Sequence, residues 1–275
     1  MNTGSNRLLR VIAGLGAAVC LLSATACHAP TPKDTDTQPP VFSGVRDIEV
    51  WQGDGIVYRE GVSAVDDRDG ELPFTVDAAN VNKDVAGVYT VRYRAVDAAG
   101  NEAVREATVT VKARTVTYEQ LWEKVDKLIA QNGFASLSTE ALCNDLYYYI
   151  KGRMSYVSDS DKSDWVAEAY RGLSEQNGDC FTYYAVARAF FERLSVDVLT
   201  VQRAPNVLPT THYWLLINVG NEDEPAYYHW DACPHPREYP LTSILLTDAE
   251  LLAYNEQMEH YYTFDQGLYP ATPKE

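Results

Sequence analysis

The sequence predicts two units in tandem: a small all-β sandwich, then an α+β unit with helices packed on an antiparallel sheet. Three observations predict this. Between Pro40 and Lys112, short segments of period-two alternation are separated by turn clusters rich in Asp, Gly and Asn. After Thr117 the apolar residues recur at helical spacing, with cap residues at the expected starts. Beyond Leu194 the pattern returns to strands. The boundaries expected from these shifts are residues 1–26 for a signal peptide, 27–39 for a tether, 40–113 for the sandwich and 114–275 for the α+β unit.

At the N-terminus, Arg7 and Arg10 precede an apolar run from Val11 to Leu22, too short for a comfortable membrane span. Ser23, Ala24, Thr25 and Ala26 then offer small residues before a cut ahead of Cys27. Cys27 resembles the lipidated cysteine of a bacterial lipobox, although Ala24 stands where Leu is usual. The expectation is a secreted protein, lipid-anchored through Cys27 at the outer face of a bacterial membrane. Residues 28–39, rich in Pro, Thr and Asp, suit a solvated tether.

The net charge of −16 repels a phosphate backbone, and no Lys/Arg cluster offsets it, so nucleic acid is not an expected partner. Of five cysteines, Cys20 leaves with the signal and Cys27 is spoken for by lipid. Cys143, Cys180 and Cys233 remain, an odd set that argues against a disulfide framework, with a Cys143–Cys233 bridge left open.

The expected sandwich has turns at Asp66–Gly70 and Asp97–Asn101, with Gly87–Val96 and Ala107–Val111 as its clearest strands. The motif AVDDRDGELP, followed by AGVYTVRYRAVDAAGNEA and ATVTV, resembles the Ig-like modules repeated on bacterial surface proteins. That resemblance implies a spacer or adhesive role. Asp66, Asp67 and Asp69 offer oxygen ligands to calcium without forming a complete loop, so a solvated turn is the expectation and no metal site is assigned.

Helices are expected from Tyr118 to Ile129, ended by Asn132-Gly133; from Ser138 through Ile150; and from Trp165 to Leu173. A fourth begins at Cys180, after the cap residues Asn177, Gly178 and Asp179, and runs through Ala185, Phe190 and Leu194. A thiol in a first helical turn meets unpaired backbone N–H groups and the positive end of the dipole, which favour thiolate. Strands follow over Val196–Gln202, His212–Val219 and Ala226–Asp231. A hairpin turning within Gly220–Pro225 brings His212 and Asp231 opposite, and a register shift of two still leaves them on one face.

Cys180, His212 and Asp231 therefore form a candidate catalytic set. Imidazole takes the thiol proton near neutral pH, and a carboxylate on its far nitrogen fixes the tautomer. A thioester formed from an amide can go on to water or to an amine. The oxyanion would meet the Cys180 N–H, with Tyr156 or Trp165 as side-chain candidates. His229 shares the strand face of Asp231 but is expected exposed, and His235 is expected in a loop.

The segments GDCFTYYAVARAFFERL, THYWLLI and YYHWDACP, in that order, resemble the core of the transglutaminase-like superfamily. The resemblance implies a papain-like fold with Cys180 as nucleophile, His212 as base and Asp231 as its orienter. It implies amide chemistry on a protein or peptide without a cofactor. Cys233-Pro234 departs from the family pattern and puts a second thiol near the site, leaving an oxidative lock against Cys180 open. Two other readings stand beside this one: a peptidase of cell-wall stem peptides, and a binding or adhesion module that has lost activity.

Overall fold

The computed structural model describes residues 36–274. The expected signal peptide, the expected lipidation site at Cys27 and most of the expected tether lie outside the described residues. Among the described residues, no helix is long and apolar enough to cross a membrane.

The N-terminal region is all β. Strands β1 (Val41–Ser43), β3 (Ser63–Asp66) and β4 (Gly70–Leu72) make one antiparallel sheet; β2 (Ile48–Trp51), β5 (Phe74–Asp77), β6 (Gly87–Val96) and β7 (Glu102–Lys112) make a second, ordered β2-β7-β6-β5. In β6, alternate residues Val91, Tyr93 and Ala95 are buried, as period-two alternation requires. They meet Val109 and Val111 of β7 and Phe42 and Ala64 of the first sheet in one apolar cluster. Strand β2 runs parallel to β7, with Ile48 beside Val109. The two strands are far apart in the chain, so no short hairpin dictates their direction.

The rest is mixed α and β. Helices α1 (Tyr118–Asn132), α2 (Thr139–Arg153), α3 (Trp165–Glu175) and α4 (Cys180–Arg193) start at side-chain caps, with Thr117, Ser138, Asp164 and Asp179 accepting backbone N–H groups; Ser138 and Asp179 are the caps expected from the sequence. Two-residue strands β8 (Ser155–Tyr156) and β9 (Asn177–Gly178) pair in parallel just ahead of α4. The sheet β10 (Val198–Gln202), β11 (Tyr213–Asn218), β12 (Tyr227–Asp231) and β13 (Ser243–Leu246) is antiparallel in that order. One face, through Leu215, Ile217 and Trp230, packs on the helices. The other, through Val201, Trp214 and Leu216, is covered by α5 (Asp248–Ala253) and the aromatic segment holding Tyr254, Tyr262 and Phe264.

The two regions touch through one buried cation. Arg114 pairs with Asp54 of the β region and with Asp164, the cap of α3, and its own side chain is 1% exposed. Trp51 Nε1 adds a 2.7 Å bond to Ser163 O.

Candidate active site

Cys180 stands at the first position of α4, where its N–H has no helical partner. Asp179 fixes that start by accepting from Phe181 N at 2.9 Å, and Lys162 in turn holds Asp179 at 2.8 Å. Gly178 is required just before it. A Cβ there would lie 2.1 Å from Thr182 Oγ1, and the backbone φ is +154°. Thr182 is itself tied to the buried carboxylate of Glu168, which Arg171 neutralises. A bonded block of three residues thus seats the helix start.

His212 lies immediately ahead of β11 and is 3% exposed. Its Nε2 is 2.8 Å from Asp231 Oδ2, at the end of β12. The register pairs Leu215 with Trp230, so Asp231 stands diagonal to His212, two residues from direct opposition and on the same face. Cys180 lines the same cavity as His212, and its Sγ lies 3.5 Å from the carbonyl oxygen of Thr211, the residue just before that histidine. All three sequence-chosen residues are brought together at one end of the sheet.

Burial by itself would depress the His212 pKa, but the Asp231 charge and hydrogen bond outweigh it, with Cys180 adding to them, and lift it to about 9. Burial pushes Asp231 the other way, upward, yet its contacts with His212 and Tyr262 hold it below the usual carboxylate range. The resulting pair is an imidazolium and a carboxylate near neutral pH.

Tyr262 is the functional residue that sequence reasoning missed. Its hydroxyl donates to Asp231 Oδ2 at 2.7 Å and lies 2.6 Å from His235 Nε2. His235 sits in a loop, as expected, but inside this chain of bonds, and burial holds its pKa down at about 4. His229 corrects the expectation of an exposed strand residue. It is fully buried, accepting from Trp214 Nε1 at 3.0 Å on Nδ1 and meeting Asp248 Oδ1 at 2.8 Å on Nε2. It supports the sheet face behind the site.

Around Cys180 and His212 an open cavity of about 740 Å³ is lined by Tyr156, Lys162, Arg203, Arg237 and Tyr261 among others. Tyr156 therefore faces the same cavity as Cys180. Trp165 does not line the cavity; it meets Tyr118 edge-on and Trp122 at a tilt, under the Arg188 guanidinium. Tyr183 and Tyr184 belong to the buried face of α4. Cys143, Cys180 and Cys233 are all free, so no Cys143–Cys233 bridge forms. Cys233 lines the cavity beside Cys180, but burial drives its thiol pKa well up, leaving it a poor nucleophile. Burial likewise pushes the Cys143 thiol to about 12.

The acidic turn is arranged differently from the trio Asp66, Asp67 and Asp69. Carboxylate oxygens of Asp36, Asp66 and Asp67 come within 4.8 Å of one another. Asp69 instead accepts from Ala98 N at 2.8 Å, tying the two turns together.

No protein-family model matches the chain. In sequence it is 36% identical over 81 residues to an uncharacterized 81.3 kDa protein of Acholeplasma phage L2, covering 27% of this chain and 11% of that protein. The chain thus spans about a tenth of the length of the curated relative it matches. Among solved structures, a candidate cysteine protease from Cytophaga hutchinsonii aligns with 58% of this chain and 65% of its own, at 14% identity and a TM-score of 0.32. The CBM51-2 and INT domains of Clostridium perfringens ZmpB, in complex with GlcNAc, align with 27% of this chain and 17% of theirs, at 19% identity and a TM-score of 0.25. Likenesses this remote assign neither fold nor function.

Proposed function

We propose that the chain is an exported bacterial cell-surface cysteine enzyme of transglutaminase-like type that acts on amide bonds of a protein or peptide through a thioester. Its β region is read as an Ig-like domain serving as a spacer, with the α+β region as the catalytic domain and a lipid on Cys27 as the membrane anchor. The observation that carries the reading is the placement of Cys180, at a helix start, and His212 on the wall of one open cavity, with buried Asp231 bonded to the His212 ring behind it.

In this reading the thiol proton of Cys180 already resides on His212 in a thiolate–imidazolium pair, and the thiolate attacks the amide carbonyl carbon. The resulting oxyanion is met by the Cys180 N–H. As the tetrahedral adduct collapses, the C–N bond breaks, His212 returns the proton to the leaving amine, and a thioester remains on Sγ. Water, deprotonated by His212, then attacks the thioester carbonyl; the C–S bond breaks, Sγ leaves as thiolate beside the protonated ring, and an acid is released, while an amine in place of water gives a new amide. Throughout, Asp231 holds the ring orientation and stabilises the imidazolium.

The test uses the purified chain with three substrates: a glutamine peptide plus a fluorescent amine, an unstructured protein, and a cell-wall stem peptide. The expected result is turnover of at least one of them by wild type and none by Cys180→Ala. Amine incorporation marks a transferase, cleavage of the protein marks a protease, and cleavage of the stem peptide alone marks a cell-wall peptidase. No turnover, with no acyl-enzyme detectable by mass, would leave a binding module.

A further inference from the structure

Arg203 follows directly on β10, and its backbone N–H donates to His212 O at 2.9 Å, so it is the cross-strand neighbour of the candidate base. The residue is only 5% exposed. Its Nε donates to Tyr261 O at 2.8 Å and its Nη1 to Thr210 O at 2.9 Å, with the guanidinium 5.2 Å from the Tyr261 ring centre. Every one of these partners is neutral. Among the described residues no carboxylate forms an ion pair with Arg203, and Nη2 has no acceptor. The nearby buried acid, Asp231, is already committed to His212 and Tyr262.

A buried cation without a counter-ion is costly, by several kcal/mol in typical cases. Here it persists in a chain of net charge −16, with the charges of Asp231 and Cys180 acting on it but no ion pair of its own among the described residues. Two of its nitrogens are spent on loop carbonyls, which pin the guanidinium plane, and the residue lines the same cavity as Cys180 and His212. Lys162 also lines the cavity but is engaged by Asp179. Arg237, also on the wall, adds a second positive charge nearer solvent.

We propose that Arg203 is the anchor of a carboxylate subsite, so that the cavity takes an acyl substrate bearing a carboxylate close to the amide that Cys180 attacks. This rests on the reading of Cys180 as the nucleophile. The missing counter-ion is supplied by the substrate, and the guanidinium fork suits a planar carboxylate better than a point charge would.

The full chain is alkylated with iodoacetate and with iodoacetamide, Cys180 being followed by peptide mapping. In both reactions the thiolate displaces iodide, and only the first reagent carries a carboxylate. The ratio of the two rates cancels any general change in thiol reactivity. Wild type is expected to favour iodoacetate about tenfold more than the urea-unfolded chain does, and Arg203→Gln is expected to abolish that preference. An equal ratio in folded wild type and folded Arg203→Gln would overturn the subsite.

Should Arg203→Gln fail to fold, wild type alone decides. An N-acetyl dipeptide with a free carboxylate should protect Cys180 from iodoacetamide saturably, and its C-terminal amide should not. Equal protection by both, or by neither, overturns the proposal. Reaction with iodoacetamide that is slow and indifferent to His212→Ala would instead defeat the reading of Cys180 as an activated nucleophile.

Discussion

His212 Nε2 lies 2.8 Å from Asp231 Oδ2 across neighbouring strands, with both residues only 3% exposed and Tyr262 donating to the same carboxylate oxygen at 2.7 Å. One buried oxygen therefore receives two donors. Its charge is stabilised on one side by a hydroxyl and spent on the other in holding an imidazole.

Removing that charge should cost most of the activity. Asp231→Asn keeps the shape but gives the ring a neutral partner, and the expected fall in kcat/KM is about 10²–10⁴-fold. Tyr262→Phe removes one of the two donors on Oδ2 and is expected to cost roughly tenfold, the scale of one net hydrogen bond to a charged group. Steady-state kinetics on the substrate found in the amide screen checks both; an unchanged rate for Asp231→Asn would remove the acid from the mechanism.

The pair also sets an alkaline limit on stability. His212 has a folded pKa of about 9 against an ordinary value of 6.5. A base raised on folding stabilises fully below its unfolded pKa and loses that contribution as pH rises through the folded one. Melting temperature should therefore decline between pH 6.5 and 9. His212→Gln should flatten that decline, as followed by circular dichroism across the pH series.

The acid side has a different origin. His235 is held at about 4 and His229 below its ordinary value, in each case chiefly by burial, so both gain protons on unfolding as pH falls. For His235 the loss runs from pH 6.5 down to about 4. His235→Gln should make the melting temperature less sensitive to pH in that window while leaving the alkaline decline in place.

Gly178→Ala tests the seat of the nucleophile. The added methyl would overlap Thr182 Oγ1 and push on the Glu168–Arg171 block behind it. The expected cost is about 2 kcal/mol or more in denaturant unfolding, with loss of Cys180 reactivity. An unaffected midpoint would mean that the helix start is not seated in this way.

How much of this was legible in the sequence differs residue by residue. Helix starts were readable because caps are local: Ser138 and Asp179 each act within three residues of themselves. The facing of His212 and Asp231 was readable because a hairpin with a polar turn restricts its register, and either allowed register keeps them on one face. The burial of His229 was not. It depends on residues 248–269 folding back over the sheet, and beyond the six-residue α5 that segment holds only short 3-10 turns, with no sustained apolar period to announce it. Tyr262 is 31 residues from Asp231, and its role exists only once that return is made. Arg203 was hidden for a related reason, since its significance is an absent partner, which no local pattern records. The parallel pairing of β2 with β7 likewise depends on tertiary closure, not on a turn.

The most direct test of the account is the rate of Cys180 alkylation by iodoacetamide as a function of pH, for wild type and for His212→Ala. Wild type should react well below the ordinary thiol pKa of about 8.5, with a further change as His212 loses its proton near pH 9. His212→Ala should revert to a single step near the ordinary value. Identical profiles for the two proteins, each with that ordinary midpoint, would contradict the claim that imidazole and sulfur work as one unit.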